Sequence, residues 1–127
     1  MARRDESEAG FEGLREAAVK EIASDDGRVV VYLAGELDLY NAPEVRQALI
    51  ESSAGKPSRM VVDLSAVVFI DSTALGVLVE ARARLGPGAF VLAAPGRETR
   101  RALEISGLDR HFAVRDSVDE ALATDLG

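Results

Sequence analysis

Asp71, Ser72 and Thr73 are the residues whose types and position are most suggestive of chemistry, because they follow an apolar run and open a helical pattern. Asp and Ser at a helix start accept hydrogen bonds from the free amides of the first turn, and such a cap is worth about 1 kcal/mol. Capping does not account for Gly76, which lowers helix propensity by up to about 1 kcal/mol, or for Val77, which the helical period directs toward water. A small, partly apolar helix surface beside a hydroxyl is suited to docking by another protein.

An enzymatic use of Ser72 lacks the other groups it would need. The chain has one histidine, His111, which the pattern assigns to the start of a short strand beyond the third helix, and no Gly-x-Ser-x-Gly elbow surrounds Ser72. Without a base the hydroxyl is a poor nucleophile. The absence of cysteine removes thiol nucleophiles, thiolate metal sites and disulfides together. We therefore expect no catalytic residue.

An aspartyl-phosphate acceptor is the nearest competing use of a carboxylate. Asp63 ends a predicted buried strand, but acceptor chemistry needs Mg²⁺ held by further carboxylates at neighbouring strand ends, usually with a lysine nearby. The lysines, Lys20 and Lys56, follow no late strand, and Asp25 and Asp26 belong to a predicted hairpin turn. We expect neither a metal nor a cofactor.

The charge balance of the chain argues against a nucleic-acid partner. Its 127 residues carry 22 acidic and 15 basic side chains, a formal charge of −7, whereas nucleic-acid affinity depends on Lys and Arg that neutralise phosphates. Arg97, Arg100 and Arg101 fall together in a predicted helix and are interpreted as a solvated face. The longest apolar stretch, residues 29–34, is far short of the roughly 20 residues that cross a bilayer, and no hydrophobic signal region opens the chain. We expect a cytoplasmic protein without direct membrane contact.

Residues 16–127 show one regular α/β pattern, whereas residues 1–15 are charge-dense and are predicted to form a flexible tail. The pattern predicts strands at 18–23, 28–33, 60–64, 89–94 and 111–114, and helices at 41–53, 72–85, 96–106 and 117–124. This order predicts a mostly parallel sheet of four to five strands that begins with an antiparallel hairpin and is covered by about four helices.

Local signals support several of these boundaries. Gly27 supplies the positive φ that a hairpin turn between the first two strands requires. Asn41 with Glu44, and Ser117 with Glu120, have the spacing of capping boxes at helix starts. The site residues are therefore expected at the junction between a central strand and the second helix.

Three segments of the chain together resemble one known family. The run DLSAVVFIDSTALGVLVEA is preceded by GELDLYNAPEVRQAL and followed by ISGLDRHFAVRDSVDEAL. With these segments in this order, about residues 16–125 resemble the STAS domain of bacterial anti-sigma factor antagonists. Ala74 departs from the family element, which usually has glycine at that position, and its methyl group is expected to lie next to the docking surface.

The resemblance implies the STAS fold and a function by phosphorylation rather than by catalysis. In the family, an anti-sigma factor that is itself an ATP-dependent, GHKL-type serine kinase phosphorylates the first serine after the aspartate, which here is Ser72, with Thr73 as the second choice. The unmodified antagonist binds this kinase and frees the sigma factor, the phosphorylated form dissociates, and a serine phosphatase resets it. The partner-binding residues are expected to be Glu36, Asp38, Asp71, Ser72, Thr73, Ala74, Gly76, Val77 and Glu80.

The same fold leaves a second role open. STAS domains also serve as accessory subunits of ABC-type lipid transporters and as modules of stress-sensing assemblies, where the Ser/Thr site contacts a partner without a phosphate cycle. The fold by itself does not separate these roles. The complete Asp-Ser-Thr element and the length of the chain favour the antagonist.

Overall fold

Five strands form one sheet in the computed structural model, which describes residues 17–124. Their order across the sheet is their order in the chain: β1 (Val19–Asp25), β2 (Arg28–Leu37), β3 (Arg59–Ile70), β4 (Phe90–Ala93) and β5 (Ala113–Arg115). β1 and β2 are antiparallel and are joined by the predicted turn, in which Asp26 and Gly27 both have positive φ. The other neighbours are parallel, so the predicted sheet is confirmed. The predicted tail, residues 1–15, lies outside the described residues.

Four α-helices connect and cover these strands within the described residues: α1 (Ala42–Ser53), α2 (Ser72–Leu85), α3 (Arg97–Ser106) and α4 (Val118–Ala123). α2 has the predicted bounds. α3 ends at Gly107, whose φ of 80° is the left-handed conformation that glycine adopts readily, and a 3₁₀ turn, Leu108–Arg110, follows it. Ser117 caps α4 as predicted, because its Oγ accepts a hydrogen bond from the Glu120 amide at 3.0 Å.

The sheet is buried on both faces, which explains why its central strands are nearly continuous apolar runs. The larger core lies on the face covered by α1, α2 and α3, where Leu49, Leu78 and Leu103 meet alternate residues of the strands. On the other face, Val61 packs in a smaller cluster with Ala121 of α4. The fully buried strand residues of the larger core are Val31, Leu33, Leu37, Met60, Val62, Leu64, Phe90 and Leu92. This packing fixes the ends of the central strands, and therefore the start of α2.

β2 and β3 extend further than the pattern predicted. β2 continues to Leu37 and β3 to Ile70, and their ends pair in parallel register, Gly35 with Val67 and Leu37 with Ile70. Two register shifts interrupt the regular pairing of these strands. Because of these shifts, the extended parts do not show the simple alternation of buried and exposed residues by which a strand is recognised in a sequence. The GELD segment therefore begins as the end of a strand, directly beside the strand that leads into α2.

The start of α1 differs from the predicted capping box. Asn41 occupies the cap position but makes no side-chain cap bond, and its Oδ1 instead accepts a hydrogen bond from the Asp38 amide at 2.9 Å. The Glu44 carboxylate accepts a hydrogen bond from the Val19 amide at 3.3 Å. The capping box does not form because the Asn41 side chain bonds to the preceding loop and the Glu44 side chain bonds to β1.

His111 lies outside β5, which corrects its predicted position at a strand start. It follows the 3₁₀ turn, and its amide donates to Leu108 O at 2.9 Å. The exposed ring places Nε2 3.3 Å from Arg82 Nη1. The amides of His111 and Phe112 both donate to Leu108 O, which keeps these two residues out of the strand that the apolar pattern had assigned to them.

Asp63 lies within β3 rather than at its end. Its side chain is 6% exposed and accepts a hydrogen bond from Ser65 Oγ at 2.7 Å. Its partners across the sheet are Tyr32 and Ala93, so neither neighbouring strand contributes a carboxylate or a lysine beside it. This surrounding provides none of the groups that an aspartyl-phosphate acceptor needs.

The outer face of α2 is less exposed than predicted. Thr73 and Gly76 are exposed, but Val77 is only 8% exposed and belongs to the core cluster that also contains Ala42 and Val45 of α1. The prediction that Val77 points to water is therefore wrong. A helical period identifies the stripe that faces the sheet but does not identify a second helix packed alongside.

Substitutions at the adjacent positions Gly76 and Val77 test this assignment. Gly76→Ala enters open space, since no neighbouring atom lies within 4 Å of an added Cβ, and is expected to raise the free energy of unfolding by up to about 1 kcal/mol. Val77→Ala removes two buried carbon atoms and is expected to lower it by about 2 kcal/mol. Urea unfolding followed by circular dichroism measures both. Equal, small effects in the two variants would contradict the buried position of Val77.

Candidate functional site

Ser72 and Thr73 are the first two residues of α2, which starts one residue after β3 at the carboxyl end of the parallel strands. Both side chains are exposed, and among residues 17–124 no hydrogen bond engages the Ser72 hydroxyl. The amide of Leu75 donates to Asp71 O at 3.0 Å and so begins the helical hydrogen-bond ladder. The amides of Ser72 and Thr73 precede that bond and have no acceptor within the helix. The site presents a hydroxyl beside helix-start amides, which favour negative charge.

Asp71 fixes the start of α2 with both oxygens of its carboxylate. Oδ1 accepts a hydrogen bond from the Ala74 amide at 2.9 Å, which is the cap that the sequence predicted. Oδ2 accepts a hydrogen bond from the Leu39 amide at 3.1 Å, and the Asp71 amide donates to Leu37 O at 3.0 Å. Asp71 therefore joins the helix start to residues 38–41, which we call the β2–α1 loop.

The β2–α1 loop is held in shape by its own polar groups. Asp38 Oδ1 accepts hydrogen bonds from the Tyr40 amide at 3.0 Å and from the Asn41 amide at 3.4 Å. Asn41 Nδ2 donates to Glu36 O at 2.7 Å. The Asp38 side chain is half-buried, whereas Glu36 is exposed. The loop is therefore a preorganised surface on which these two predicted residues have different roles: Asp38 shapes the turn, and Glu36 faces solvent.

Four large apolar or aromatic side chains are exposed on the segments that flank Ser72. Leu39 and Tyr40 of the β2–α1 loop are 58% and 77% exposed, and Val68 and Phe69 near the end of β3 are 63% and 49% exposed. We call these four residues the apolar rim. Large exposed apolar side chains on the segments that lead to a candidate site are typical of protein–protein contact.

A groove of about 380 Å³ lies between α1 and α2 beside this rim. Its walls are formed by Leu39, Ala42, Pro43, Arg46, Gln47, Thr73 and Val77. We call it the α1–α2 groove. Thr73 contributes to its lining and Ser72 does not, so the two adjacent hydroxyls face different surroundings.

Arg46 of α1 and Glu80 and Arg84 of α2 form a charged cluster that links the two helices. Arg46 of α1 donates two hydrogen bonds to the carboxylate of Glu80, from Nε at 2.8 Å and from Nη2 at 2.7 Å. Arg84 Nη2 donates to the same carboxylate at 3.0 Å. The hydrogen bond from Arg46 lowers the pKa of Glu80, and the same bond raises the pKa of Arg46. The three side chains form a cation-rich cluster in which Glu80 stays ionised.

Two of the predicted partner-binding residues are withdrawn from the surface. Ala74 is 1% exposed and packs in the core, so its methyl group does not reach the surface. Val77 is 8% exposed and lines the α1–α2 groove. The remaining positions stay accessible around the start of α2 or along it: Glu36, Asp38, Asp71, Ser72, Thr73, Gly76 and Glu80.

Sequence reasoning missed the apolar rim and Arg46. A signal existed for Leu39 and Tyr40, since two large residues within a turn are unlike the small polar residues that turns prefer. No such signal marks Arg46, because its partner Glu80 lies 34 positions away in the chain.

No group of three or more His, Cys, Asp or Glu side chains within residues 17–124 is arranged to hold a metal ion. Over the same range, the helices are too short or too polar to cross a bilayer.

Comparisons with known proteins agree on one family. The family model for the STAS domain matches residues 18–121. The chain is 34% identical over 102 residues to the anti-sigma-F factor antagonist RsfB of Mycobacterium tuberculosis, a match that covers 80% of this chain and 84% of RsfB. It is 36% identical over 94 residues to the anti-sigma-B factor antagonist of Listeria monocytogenes, with 72% and 82% covered. The crystal structure of an anti-sigma factor antagonist from Mycobacterium paratuberculosis matches with a TM-score of 0.75 at 37% identity and covers 80% of this chain and 88% of its own.

Asp71→Asn and Asp71→Ala separate the two bonds of the Asp71 carboxylate. Asparagine keeps one acceptor oxygen for the Ala74 amide but turns an amide donor toward Leu39, so only the Leu39 amide loses its acceptor. Alanine removes both acceptors and is expected to lower the free energy of unfolding by about 1 kcal/mol through loss of the cap. Amide hydrogen exchange measured by NMR should rise at Leu39 alone in the first variant and at both amides in the second. Unchanged protection of the Leu39 amide in both variants would contradict the link.

Arg46→Gln tests the cause of the lowered Glu80 pKa. A carboxyl whose pKa is depressed on folding stabilises the fold above its unfolded value, near 4.5, and this contribution is lost as the pH falls through the folded value. Without the Arg46 hydrogen bond, the titration of the Glu80 carboxyl, followed by carbon-13 NMR, is expected to move up toward 4.5. Arg82→Gln is the control, because Arg82 contacts His111 instead. An unmoved titration in Arg46→Gln would refute this cause.

Proposed function

This chain belongs to the STAS domain family, and on that basis we propose that it is an anti-sigma factor antagonist switched by phosphorylation of Ser72. The unphosphorylated form binds an anti-sigma factor that is a GHKL-type serine kinase, and so frees the sigma factor. The phosphorylated form does not bind, and a serine phosphatase restores the hydroxyl. The names of the relatives support a binding protein rather than an enzyme. Sigma factors direct RNA polymerase, so the cytoplasm is the proposed location.

The observation that carries this proposal is the state of the Ser72 side chain. It is exposed at the first position of α2, and the cap of that helix is made by Asp71. The fold therefore does not depend on the Ser72 hydroxyl, and a kinase can reach it without unfolding the chain. The other proposed partner contacts surround it: Glu36, Asp38, Asp71, Thr73, Gly76, Glu80 and the apolar rim.

The proposed reaction is phosphoryl transfer from ATP held by the kinase. Ser72 Oγ attacks the γ-phosphorus, the Oγ–P bond forms, and the bond from that phosphorus to the β–γ bridging oxygen breaks, so that ADP leaves with the electron pair. The hydroxyl proton passes to a base of the kinase. The phosphatase reverses the state by hydrolysis, in which water supplies the oxygen of inorganic phosphate and the Ser72 hydroxyl is regenerated.

The added charge explains how one modification releases a partner. A phosphoserine carries about −1.5 to −2 charges at pH 7, and here it would lie beside Asp71 on a chain whose formal charge is already −7. Within the chain, the helix-start amides of Ser72 and Thr73 and the helix dipole offset this charge. A partner surface fitted to a neutral hydroxyl has no such groups. A penalty of about 3 kcal/mol weakens binding on the order of 100-fold, which is enough for release.

Variants at the two hydroxyls test the switch. Ser72→Ala is expected to bind the cognate kinase as tightly as the unmodified chain and to accept no phosphate. Ser72→Asp and phosphorylated Ser72 are expected to bind weakly, the latter on the order of 100-fold more weakly. Isothermal titration calorimetry measures these affinities, and Thr73→Ala, which keeps the Ser72 hydroxyl, is expected to remain a substrate. Equal affinity for the phosphorylated and unphosphorylated chains would rule out the mechanism.

A different partner would redirect the proposal. Co-purification of the chain with the ATPase subunit of a lipid transporter, with no kinase bound, would assign it the accessory role instead. The Ser72 site would then be a contact without a phosphate cycle.

A further inference from the structure

The α1–α2 groove offers an apolar binding surface next to the proposed phosphorylation site. Its apolar walls come from Leu39 and Pro43, with Val77 buried behind them. The apolar surface continues outward, because Leu39 is 58% exposed and Tyr40 is 77% exposed. A small ligand in the groove would leave this continuation in water. A protein segment laid across groove and rim would cover both.

The charges at the groove indicate which charge the partner segment should carry. Among residues 17–124, Arg46 is the one charged residue that lines the groove, and half of its side chain remains exposed. Glu80 takes hydrogen bonds from Nε and Nη2 of Arg46, and among residues 17–124 no hydrogen bond engages Nη1. With Arg84, the cluster has two cations for one anion on a chain of net charge −7. Charge complementarity therefore calls for a carboxylate on the partner at this point.

The groove is structurally continuous with the start of α2. Thr73 lines it and follows Ser72 directly. The backbone of Leu39, which forms the opposite wall, is bonded to the Asp71 carboxylate at 3.1 Å. A segment in the groove therefore holds a fixed position relative to the Ser72 hydroxyl, as a kinase needs when it docks its substrate.

We propose that the α1–α2 groove receives an apolar side chain of the anti-sigma factor kinase, and that a carboxylate on the same segment of the kinase pairs with Arg46. This inference rests on the proposed function, because the occupant is the same partner that phosphorylates Ser72. The groove supplies affinity and alignment, and the Ser72 hydroxyl supplies the switch.

Leu39→Ala and Arg46→Gln test the two parts of the contact. Leu39→Ala removes an exposed wall but keeps the backbone bond to Asp71, so it leaves the loop in place. Ile105→Ala is the matched control, because Ile105 is an apolar side chain of α3 that is 76% exposed and does not line the groove. Each purified full-length chain is titrated with every GHKL-type kinase encoded in the same genome. Thermal unfolding checks that the variants are folded.

The inference predicts that Leu39→Ala and Arg46→Gln each bind the kinase about tenfold more weakly, which corresponds to about 1.4 kcal/mol, while Ile105→Ala binds like the unaltered chain. It also predicts that KM for Ser72 phosphorylation rises with unchanged kcat, because docking is weakened and the reacting hydroxyl is intact. Affinities within twofold of the unaltered chain in both groove variants would overturn the inference and leave the Ser72 switch standing. An unaltered chain that no kinase binds or phosphorylates would overturn the proposed function, and this inference with it.

Discussion

The two hydrogen bonds to the Asp71 carboxylate are the constraint on which the site depends. One oxygen satisfies the Ala74 amide in the first turn of α2, and the other satisfies the Leu39 amide of the β2–α1 loop. Because Asp71 makes both bonds, the position of Ser72 relative to the loop is set by a side chain other than the one proposed to be phosphorylated. Because Asp71 caps α2, the Ser72 hydroxyl does not have the capping role that serines at helix starts often have.

The sheet makes this arrangement possible by bringing two strand ends together. Leu37 and Ile70 are paired neighbours at the ends of β2 and β3, so the β2–α1 loop and α2 leave the sheet side by side. Burial of the central strands on both faces holds those ends in register. The apolar rim and the α1–α2 groove follow from the same geometry. The rim residues lie in the β2–α1 loop and near the end of β3, and the groove lies between α1 and α2, the helices that follow these two segments.

The predictable parts of the fold are those governed by local chemistry. The bounds of α2, the Asp71 cap, the Ser117 cap and the hairpin turn at Gly27 follow from helical period, capping preference and positive φ, which neighbouring residues determine. The family motif predicts Ser72 as the phosphorylation site, and this stays a prediction.

The parts that could not be predicted depend on contacts between distant segments. Val77 is buried because α1 packs against α2, and the Asn41 side chain bonds to the loop rather than to the helix it precedes. Arg46 acquires its role from Glu80, which the chain brings to it only in the folded state. The ends of β2 and β3 were missed because register shifts interrupt their pairing.

The most direct test of the proposed phosphorylation of Ser72 is peptide-mapping mass spectrometry of the chain after incubation with ATP and each GHKL-type kinase of its genome. One phosphate, located on Ser72, is expected. No phosphate with any kinase, or a single phosphate located elsewhere, would contradict the proposed switch.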